Sequence, residues 1–467
     1  MQRSYRIIAK LINNSAYMDK LTLKRYLPWL IASTLFMEQL DTTIVNTAVP
    51  TIAASLNVAP LSLKAIVASY ILSFAVCIPM SGWLADHFGT KRVFSMAVIL
   101  FTLSSILCGL SVNAPMLVAA RILQGIGAAM MMPVGRLAIL RTYSKPELLR
   151  AMNFVIIPAL IAPLLGPTIG GVIVHWLSWR NIFFVNVPIG LLALIFIHKY
   201  MPDYYGDKLR AFDLLGMVLF ASGIALLSWL LEVFGEHKID ITSASILLLL
   251  AFSLLGAYVI HARRIPFPLL NLTLFRIRTF RISVAGGFVT RLGIGSLPFL
   301  LPFLYQQGLG MPAWQSGLLI MPIAIAAMGM KLISIKLLKL YGYRHVLIAN
   351  TLMIGIIMSL FSLVTHATPL VLIVLLTLAI GFSNSLQFSS INSMAYADID
   401  NTNASMASTI ASSMQQLAMS FGLACGSLVA AAYLGETSQS NSLAVTHALH
   451  NTFLTMGGIT MLSSLVF

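Results

Sequence analysis

The sequence predicts an all-α polytopic membrane protein with fourteen transmembrane helices, and three observations predict it. Only 9% of the 467 residues are charged, against about 25% in soluble domains. Apolar runs of about 20 residues, the length that spans a bilayer, recur along the whole chain. Lysine and arginine are concentrated in alternate connections between these runs, as expected of a chain that crosses a membrane repeatedly.

The apolar runs end at charged residues, proline or glycine, and they define the predicted helices. Predicted helices 1 to 6 lie at about 27–50, 63–85, 93–111, 115–138, 151–175 and 181–199. Predicted helices 7 and 8 lie at about 213–233 and 243–262, and predicted helices 9 to 14 at about 282–304, 315–338, 345–364, 368–394, 404–434 and 446–467. The predicted domains are an N-terminal arm (1–26), an N-terminal six-helix half (27–199), a linker with two inserted helices and a basic loop (200–281), and a C-terminal six-helix half (282–467).

The charge distribution predicts the orientation in the membrane. Of the 29 lysines and arginines, 24 fall on the side of the N-terminus, whereas only Lys64, Arg180 and Lys238 fall in the opposite connections. By the positive-inside rule both termini are cytoplasmic, which requires an even number of spans. We therefore expect a multi-pass membrane protein, and we interpret the large positive charge as a sign of membrane orientation rather than of nucleic-acid binding.

A weak internal repeat relates the two halves. The turn GWLADHFGTKRVF after predicted helix 2 resembles IKLLKLYGYRHVL after predicted helix 10, so that Gly89 aligns with Gly342. Lys91 and Arg344 also align. Two parallel six-helix repeats are a common construction of secondary transporters, which bind substrate between the repeats near the middle of the membrane.

Two acidic residues stand inside predicted helix 1. Glu38 and Asp41 are three residues apart and so lie on one helical face. A charge at mid-bilayer depth costs at least ~2.5 kcal/mol on insertion scales, so these carboxylates are candidates for a functional site. Two like charges in an apolar site resist simultaneous ionisation, which allows one group to exchange a proton near neutral pH.

An arginine in predicted helix 4 is the expected partner of one of these acids. At a rise of 1.5 Å per residue, Arg121 lies about 10 Å and Asp41 about 13 Å from the outer edge of the membrane. Gln124 and Gly125 follow Arg121 by one helical turn. Two interpretations remain open: a purely structural ion pair, and a pair that takes part in proton coupling.

Two further motifs concern the movement of helices. Between predicted helices 2 and 3, an acid, two bases and two glycines form a tight turn that we interpret as a gating latch, with an ordinary positive-inside loop as the alternative. Its residues are Gly82, which is expected to permit close helix approach, and Asp86, Gly89, Lys91 and Arg92. Predicted helix 5 contains GPTIGG, in which Gly166, Gly170 and Gly171 permit close packing and Pro167 removes a backbone donor.

Five stretches together resemble the successive motifs of the major facilitator superfamily, specifically its fourteen-helix drug:H+ antiporter family. They are LDTTIVNTAVP, GWLADHFGTKRVF, RILQGIGAAMMMPVGR, LLGPTIGG and WRNIFFVNVPIG. The stretch from FRIRTF to MGMK further resembles the MdtD type of multidrug exporter within that family. The departure is Glu38, which stands where relatives more often carry an uncharged polar residue, and it bears on the charge preference for substrate.

The resemblance implies roles for individual residues. Asp41 would be the proton-linked site of helix 1, and Arg121 with Gln124 and Gly125 would form the helix 4 motif associated with proton coupling. The residues Asp86, Gly89 and Arg92 would form the gating latch, and the residues Gly166, Pro167, Gly170 and Gly171 would form the motif characteristic of antiporters.

Polar residues in several predicted helices are candidates for a substrate cavity. These residues are Glu38, Asn46, Gln124, Arg291, Gln306, Asn384 and Gln387. Arg291 lies about 15 Å from the membrane edge, where it would receive an anionic group or pair with an acid. Lys331 lies closer to the edge, where its long side chain can reach the interface.

The sequence therefore predicts a proton-coupled antiporter that exports drugs or other small amphipathic compounds by alternating access. Its predicted partners are the lipid bilayer, protons and a small-molecule substrate, and periplasmic or outer-membrane efflux partners stay open. We expect no enzyme activity, metal or cofactor, because the chain has no GxxxxGK[ST] stretch and Cys77, Cys108 and Cys425 stand singly. The main alternative is an exporter of an organic anion, such as a citrate-like polycarboxylate or a carboxylate siderophore; a proton-coupled importer and a membrane scaffold are further alternatives.

Overall fold

A computed structural model describes residues 2–58, 64–206, 211–235, 241–400, 404–435 and 442–467. Its described part is all-helical, and each of the fourteen predicted apolar segments overlaps at least one helix. The segments at about 63–85, 181–199 and 282–304 are each divided between consecutive helices. Lys208, Arg210 and Lys238, which contributed to the charge distribution, lie outside the described residues. The two-half division of the chain stays a prediction.

The helices are labelled in chain order. The N-terminal helices are α1 (Gln2–Ser55), α2 (Lys64–Cys77), α3 (Ser81–Phe88), α4 (Thr90–Gly109), α5 (Ala114–Thr142), α6 (Lys145–Trp176), α7 (Asn181–Phe184) and α8 (Asn186–Tyr200). The later helices are α9 (Leu214–Gly235), α10 (Ile241–Arg264), α11 (Arg278–Ile294), α12 (Leu297–Phe303), α13 (Ala313–Leu360), α14 (Leu370–Ala395), α15 (Ala404–Leu434) and α16 (Ser442–Leu462).

Ten helical stretches in the described part are long and apolar enough to cross a membrane by length and composition. Two shorter apolar stretches, at 161–176 and 214–230, belong to α6 and α9. The helices α1 and α16 are not among these stretches, and both carry ionisable residues: Glu38 and Asp41 in α1, and His447 and His450 in α16. Multiple apolar helices make this a membrane-embedded protein, whereas a count of fourteen spans stays a prediction.

Local chemistry explains several helix boundaries. The side chain of Asn113 accepts a hydrogen bond from the backbone N–H of Met116 at 2.9 Å and caps the start of α5. At the start of α6, Glu147 reaches back to the backbone N–H and the hydroxyl of Ser144 in a capping box. Predicted helix 1 begins at residue 27, but α1 begins at Gln2, because the polar residues that bound the apolar run do not end the helix, and Pro28 lies inside it.

Two glycines adopt the same unusual backbone conformation at the turns related by the sequence repeat. Gly89 joins α3 to α4 with φ 88° and ψ 146°. Gly342 has φ 72° and ψ 164° and bends α13, so that predicted helices 10 and 11 form one element with a break. Residues other than glycine rarely adopt a positive φ of this size. The matching geometry supports the internal repeat.

The packing of the helices positions the polar residues. In the N-terminal part, α1 packs on α6 and α8, and α5 packs on α2 and α4. The most extensive contacts between this part and the C-terminal helices are those of α6 with α13 and of α2 with α15, and α1 also contacts α12 and α13. The helices α9 and α10 pack mainly on each other, and α9 also contacts α15 and α2.

The two ends of the bundle differ in chemistry. At the end that we call the basic end, Lys24 forms an ion pair with Glu147 at 2.7 Å, and Arg141 forms one with Asp86 at 3.0 Å. At the opposite end, the indole N–H of Trp179 donates to the hydroxyl of Ser55 at 2.9 Å. The space between the ends contains the buried polar groups described next.

Candidate functional site

Asp41 is the centre of a buried polar cluster. Its side chain is fully buried, and its Oδ2 lies 2.5 Å from Nη1 of Arg121, which is 1% exposed. The same Nη1 donates to Oε1 of Gln124 at 2.6 Å, and Nε2 of Gln124 donates to Oδ1 of Asp41 at 2.9 Å. The two residues that the sequence placed at similar depth therefore form an ion pair, and Gln124 bridges it.

Two more side chains complete the cluster. Nδ2 of Asn186 donates to Oδ1 of Asp41 at 2.6 Å, and the hydroxyl of Ser105 lies 2.7 Å from Nε2 of Gln124. Asn186 is itself 1% exposed. The cluster thus joins α1, α4, α5 and α8. Sequence reasoning missed Asn186, although its isolated amide in the apolar stretch FFVNVPIG was a signal that could have found it.

An aromatic and backbone shell surrounds the guanidinium of Arg121. Its Cζ lies 4.2 Å from the centre of the Tyr70 ring and 5.9 Å from that of Phe183. Its Nε donates to the backbone oxygen of Ile66 at 3.4 Å. A buried arginine needs such compensation, because an unpaired charge removed from water is costly. Any change in the charge of Asp41 therefore acts directly on the helices that hold Arg121.

Glu38 lies near this cluster and has a different environment. It is 1% exposed, and Nε2 of Gln39 donates to its Oε1 at 3.4 Å. Its Oε2 is buried and has no hydrogen-bond partner among the described residues. The carboxylate of Asp41 thus accepts hydrogen bonds from several donors. The carboxylate of Glu38 has one oxygen without a partner among the described residues, to which a proton or a cationic group could bind.

The predicted cavity residues lie in separate environments in this structure. Gln124 belongs to the cluster of Asp41. Gln387 is 2% exposed, and Asn350 and Thr351 of α13 bond to it at 2.8 Å each. Gln306, which lies in a π-helical turn after α12, donates to the backbone oxygen of Thr47 at 3.0 Å and links this turn to α1.

Asn46 and Asn384 share the feature seen in Glu38. The side-chain oxygen of each is buried and has no hydrogen-bond partner among the described residues. Buried polar atoms normally find partners in protein or ordered water. These two amides are therefore groups that a bound molecule could satisfy.

Arg291 of α11 lines a pocket with Ser283, Asn392 and Gln415. It is 9% exposed. Its Nη1 donates to the backbone oxygen of Gly287 at 3.2 Å and its Nη2 to Oε1 of Gln415 at 3.4 Å. No carboxylate among the described residues forms an ion pair with it. Lys331 on α13 is half-buried.

The residues of the predicted gating latch form hydrogen bonds and an ion pair with other residues of the N-terminal helices. Oδ1 of Asp86 accepts from Nη2 of Arg141 at 3.0 Å, and Nζ of Lys91 donates to the backbone oxygen of His198 at 2.7 Å. Arg92 is exposed and forms no ion pair with a described residue. The close helix approach expected at Gly82 is not found, because a Cβ there would meet nothing within 4 Å.

A short segment that sequence reasoning missed covers this turn. Residues 201–206, MPDYYG, follow α8, and Oδ1 of Asp203 accepts from the backbone N–H of Lys91 at 3.1 Å. The backbone N–H of Thr90 donates to the oxygen of Tyr204 at 3.0 Å. A Cβ at Gly89 would overlap the side chains of Asp203 and Tyr205. The composition of the segment, with proline and glycine at its ends, suggested only a linker.

The GPTIGG motif lies where α6 contacts both α1 and α13. A Cβ at Gly166 would overlap the hydroxyl of Thr43, and one at Gly170 would approach the backbone of Ile44. On the other side, a Cβ at Gly171 would meet the backbone of Ala313 at the start of α13. The motif therefore allows the N-terminal and C-terminal helices to approach closely near the opposite end.

Comparisons with known proteins agree with this arrangement. The family model of the Major Facilitator Superfamily matches residues 31–423. The chain is 38% identical over 449 residues to a protein of Pectobacterium atrosepticum described as "Putative multidrug resistance protein MdtD", covering 95% of both chains. It is also 38% identical over 445 residues to a protein of the same description from Salmonella heidelberg, covering 95% of this chain and 94% of that protein.

Solved structures of low sequence identity share the fold. A D-xylose-proton symporter superposes with a TM-score of 0.67 at 16% identity, covering 94% of this chain and 95% of that one. The nucleoside transporter NupG superposes with a TM-score of 0.66 at 14% identity, covering 95% of this chain and 98% of that one. The relatives and the fold are those of transporters rather than enzymes. This chain therefore belongs to the major facilitator superfamily.

Proposed function

We propose that this protein is a proton-coupled antiporter that exports drugs or other small amphipathic organic compounds from the cytoplasm by alternating access. The observation that carries the proposal is the environment of Asp41, a fully buried carboxylate shared by Arg121, Gln124 and Asn186. A proton delivered to Asp41 removes the charge that balances Arg121. The proton gradient would be the driver, without a cofactor.

The consequence for the helices follows from electrostatics. A buried guanidinium that loses its carboxylate is strongly destabilised where it stands. Because the cluster joins α1, α4, α5 and α8, relief of this penalty requires these helices to rearrange. The contact of Gly171 with α13 lies at the opposite end, where such a rearrangement would separate the N-terminal and C-terminal helices. Protonation and opening would thus be linked.

Glu38 is the residue that we propose for substrate selection. Its unsatisfied Oε2 lies one helical turn from Asp41, so that a cationic group and the proton would bind to neighbouring carboxylates. A lipophilic cation would satisfy Glu38 and so compete electrostatically with a proton at Asp41. The name of the 38%-identical relatives, which refers to multidrug resistance, supports a substrate of this class.

The test is transport of tetraphenylphosphonium into proteoliposomes under an imposed pH gradient. We expect Asp41→Asn to reduce gradient-driven uptake to the level of empty liposomes, because an amide cannot exchange a proton. Glu38→Gln should weaken the uptake of the cation but leave the pH dependence of the remaining uptake unchanged. A matched control is Asp398→Asn, which changes an exposed acid outside the cluster. If the Asp41→Asn variant takes up the cation with unchanged pH dependence, Asp41 does not couple transport to protons.

A second candidate function rests on Arg291. Its buried guanidinium lines a pocket without a carboxylate among the described residues, and such a group binds carboxylates in bidentate geometry. This favours export of an organic anion such as a citrate-like polycarboxylate or a carboxylate siderophore. Radiolabelled citrate in the same assay tests it. Citrate transport that Arg291→Gln abolishes, with no transport of the cation, would replace the first proposal.

We also propose the fourteen-span arrangement with cytoplasmic termini in the bacterial inner membrane. The basic residues at the basic end, which include Lys24 and Arg141, support this orientation through the positive-inside rule. Two six-helix halves, at 27–199 and 282–467, would then flank the inserted pair α9 and α10. Reporter fusions after residues 206 and 235 test the arrangement, because they should report opposite sides of the membrane.

A further inference from the structure

The connection between α10 and α11 carries a set of arginines on a folded support. Four of its apolar residues are directed into the bundle, since Leu269, Leu270, Leu274 and Phe280 are all less than 10% exposed. They pack in a cluster with residues of α9 and α10. We call the outward residues of this connection the arginine shelf, and they are Arg263, Arg264, Arg276, Arg278 and Arg281.

Hydrogen bonds fix the shape of this support. The backbone N–H of Leu270 donates to the hydroxyl of Tyr258 at 2.9 Å, and that of Leu269 donates to Oδ2 of Asp213 at 3.0 Å. Oδ1 of Asn271 accepts from the backbone N–H of Thr273 at 3.1 Å and starts a short helical turn. The shelf is therefore presented by an ordered segment, so binding to it needs little further ordering of the backbone.

The charge of the shelf is uncompensated within its own segment. All five arginines are exposed, and the stretch 261–281 contains no aspartate or glutamate. Two acids from adjoining segments are already engaged. Oδ1 of Asp213 pairs with Nε2 of His261 at 2.7 Å, and Oδ2 of Asp398 accepts from the hydroxyl of Thr279 at 2.8 Å. None of the described salt bridges involves the arginines of the shelf, so an anionic partner would complement this surface.

The position of the shelf identifies the kind of anion. Arg263 and Arg264 end one candidate membrane span, and Arg278 begins the next. The ends of such spans lie at the level of the lipid headgroups. Phe267, which is 51% exposed, lies between them and adds an apolar side chain beside the arginines. A row of guanidiniums at phosphate depth beside an exposed ring matches a lipid surface.

We propose that the arginine shelf binds the phosphate headgroups of anionic phospholipids, such as phosphatidylglycerol, and anchors α9, α10 and the start of α11 to the surrounding lipid. Arginine recognises phosphate oxygens through paired N–H donors, which a neutral zwitterionic headgroup satisfies less well because it also carries a cation. This inference does not depend on the proposed antiport.

A local quenching measurement tests the proposal. The three native cysteines are replaced, and Ile265 is changed to cysteine and labelled with a fluorophore in the full-length protein. The protein is reconstituted in phosphatidylcholine with phosphatidylglycerol or phosphatidylcholine that carries a nitroxide near the headgroup. We expect quenching at a lower mole fraction of the phosphatidylglycerol probe, by about fivefold for each arginine that contributes ~1 kcal/mol.

Two charge-matched variants make the test specific. The variant R264Q/R276Q/R278Q should lose the preference for phosphatidylglycerol. The control K336Q/K339Q/R344Q removes the same number of exposed charges near Gly342 and should keep it. Melting temperatures in detergent establish that both variants are folded. The proposal is overturned if wild type shows no preference, if both variants lose it equally, or if free glycerol phosphate abolishes it, since the last result would mean recognition of a soluble phosphate.

Discussion

The N-terminal and C-terminal helices differ in how they stabilise buried polar groups. In the N-terminal part, a full ion pair between Asp41 and Arg121 is buried with its neutral bridge Gln124. In the C-terminal part, Gln387 belongs to a network of neutral groups, because it bonds to Asn350 and Thr351, and the buried Arg291 has no carboxylate partner among the described residues. None of the described ion pairs lies in residues 282–467.

This difference indicates which helices would change in free energy when a buried group binds a proton. A neutral amide network does not change its charge within the physiological pH range, so it serves to hold α13 and α14 together. A buried ion pair changes its free energy greatly when one partner is neutralised. We therefore expect coupling to reside in the N-terminal helices, with the C-terminal helices acting as a rigid counterpart.

The largest expected effect comes from a change in the buried ion pair of the N-terminal helices. Asp41→Asn leaves the guanidinium of Arg121 buried without a carboxylate, and we expect a loss of about 3–5 kcal/mol in the free energy of unfolding. Gln387→Leu leaves neutral groups unsatisfied in the C-terminal network, which costs only about 1–3 kcal/mol. Chemical denaturation of both variants in detergent measures the difference.

The double variant Asp41→Asn/Arg121→Met is the control for this prediction. It removes both charges, so it should recover most of the stability that Asp41→Asn loses. A loss by Gln387→Leu equal to that of Asp41→Asn would contradict the distinction between a charged and a neutral network.

An intermediate effect distinguishes the two repeat-related turns. Both Gly89 and Gly342 have positive φ, so alanine at either position costs about 1–3 kcal/mol of backbone strain. At Gly89 the added methyl group would also displace Asp203 and Tyr205, whereas at Gly342 nothing lies within 4 Å. We expect Gly89→Ala to lower the melting temperature more than Gly342→Ala.

Proteolysis of the segment 201–206 provides a second measurement for the turns. If this segment holds the turn at Gly89, its rate of cleavage should rise in Gly89→Ala and stay at the wild-type value in Gly342→Ala. Equal melting temperatures and equal cleavage in the two variants would show that the segment contributes nothing to the turn.

The smallest effect concerns an exposed ion pair at the basic end. Hydrogen bonds from Lys24, and next from Ser144, lower the pKa of Glu147 from 4.5 to about 2. A lowered carboxyl pKa means that the contribution to stability is present above pH 4.5 and is lost as the pH falls towards 2. Glu147→Gln should flatten this part of the pH profile of the melting temperature, by a small amount because the pair is exposed.

Lys24→Gln is the matched variant for this pair and should flatten the profile in the same window. If neither Glu147→Gln nor Lys24→Gln alters transport, this exposed pair is purely structural, in contrast to the buried pair of Asp41 and Arg121. A profile that keeps its wild-type slope below pH 4.5 in both variants would exclude the pair as its cause.

Several features of the site could be predicted because they depend on local sequence. Glu38, Asp41 and Arg121 are conspicuous as charges inside apolar runs, and helical rise is regular enough to match the depths of the last two. The equivalence of Gly89 and Gly342 followed from their aligned turns, and both adopt the same backbone conformation.

Other features depended on contacts between residues far apart in the chain. Asn186 bonds to Asp41 across 145 positions, and Asp203 bonds to Lys91 across 112. The expected close approach at Gly82 failed because close approach is decided by the neighbouring helix rather than by the glycine. The different environments of Gln124 and Gln387 likewise follow from which helices surround them.

The sequence by itself determined the helical segments, the membrane-embedded class and the acidic and basic residues that deserve testing, because hydropathy and helical periodicity are properties of local stretches. Only the tertiary structure decided how the charges are balanced. It gave Asp41 a network of donors, left one oxygen of Glu38 without a described partner, and placed Arg291 in a pocket away from any described carboxylate. The physical reason is that the free energy of a buried charge depends on the partners that packing brings to it.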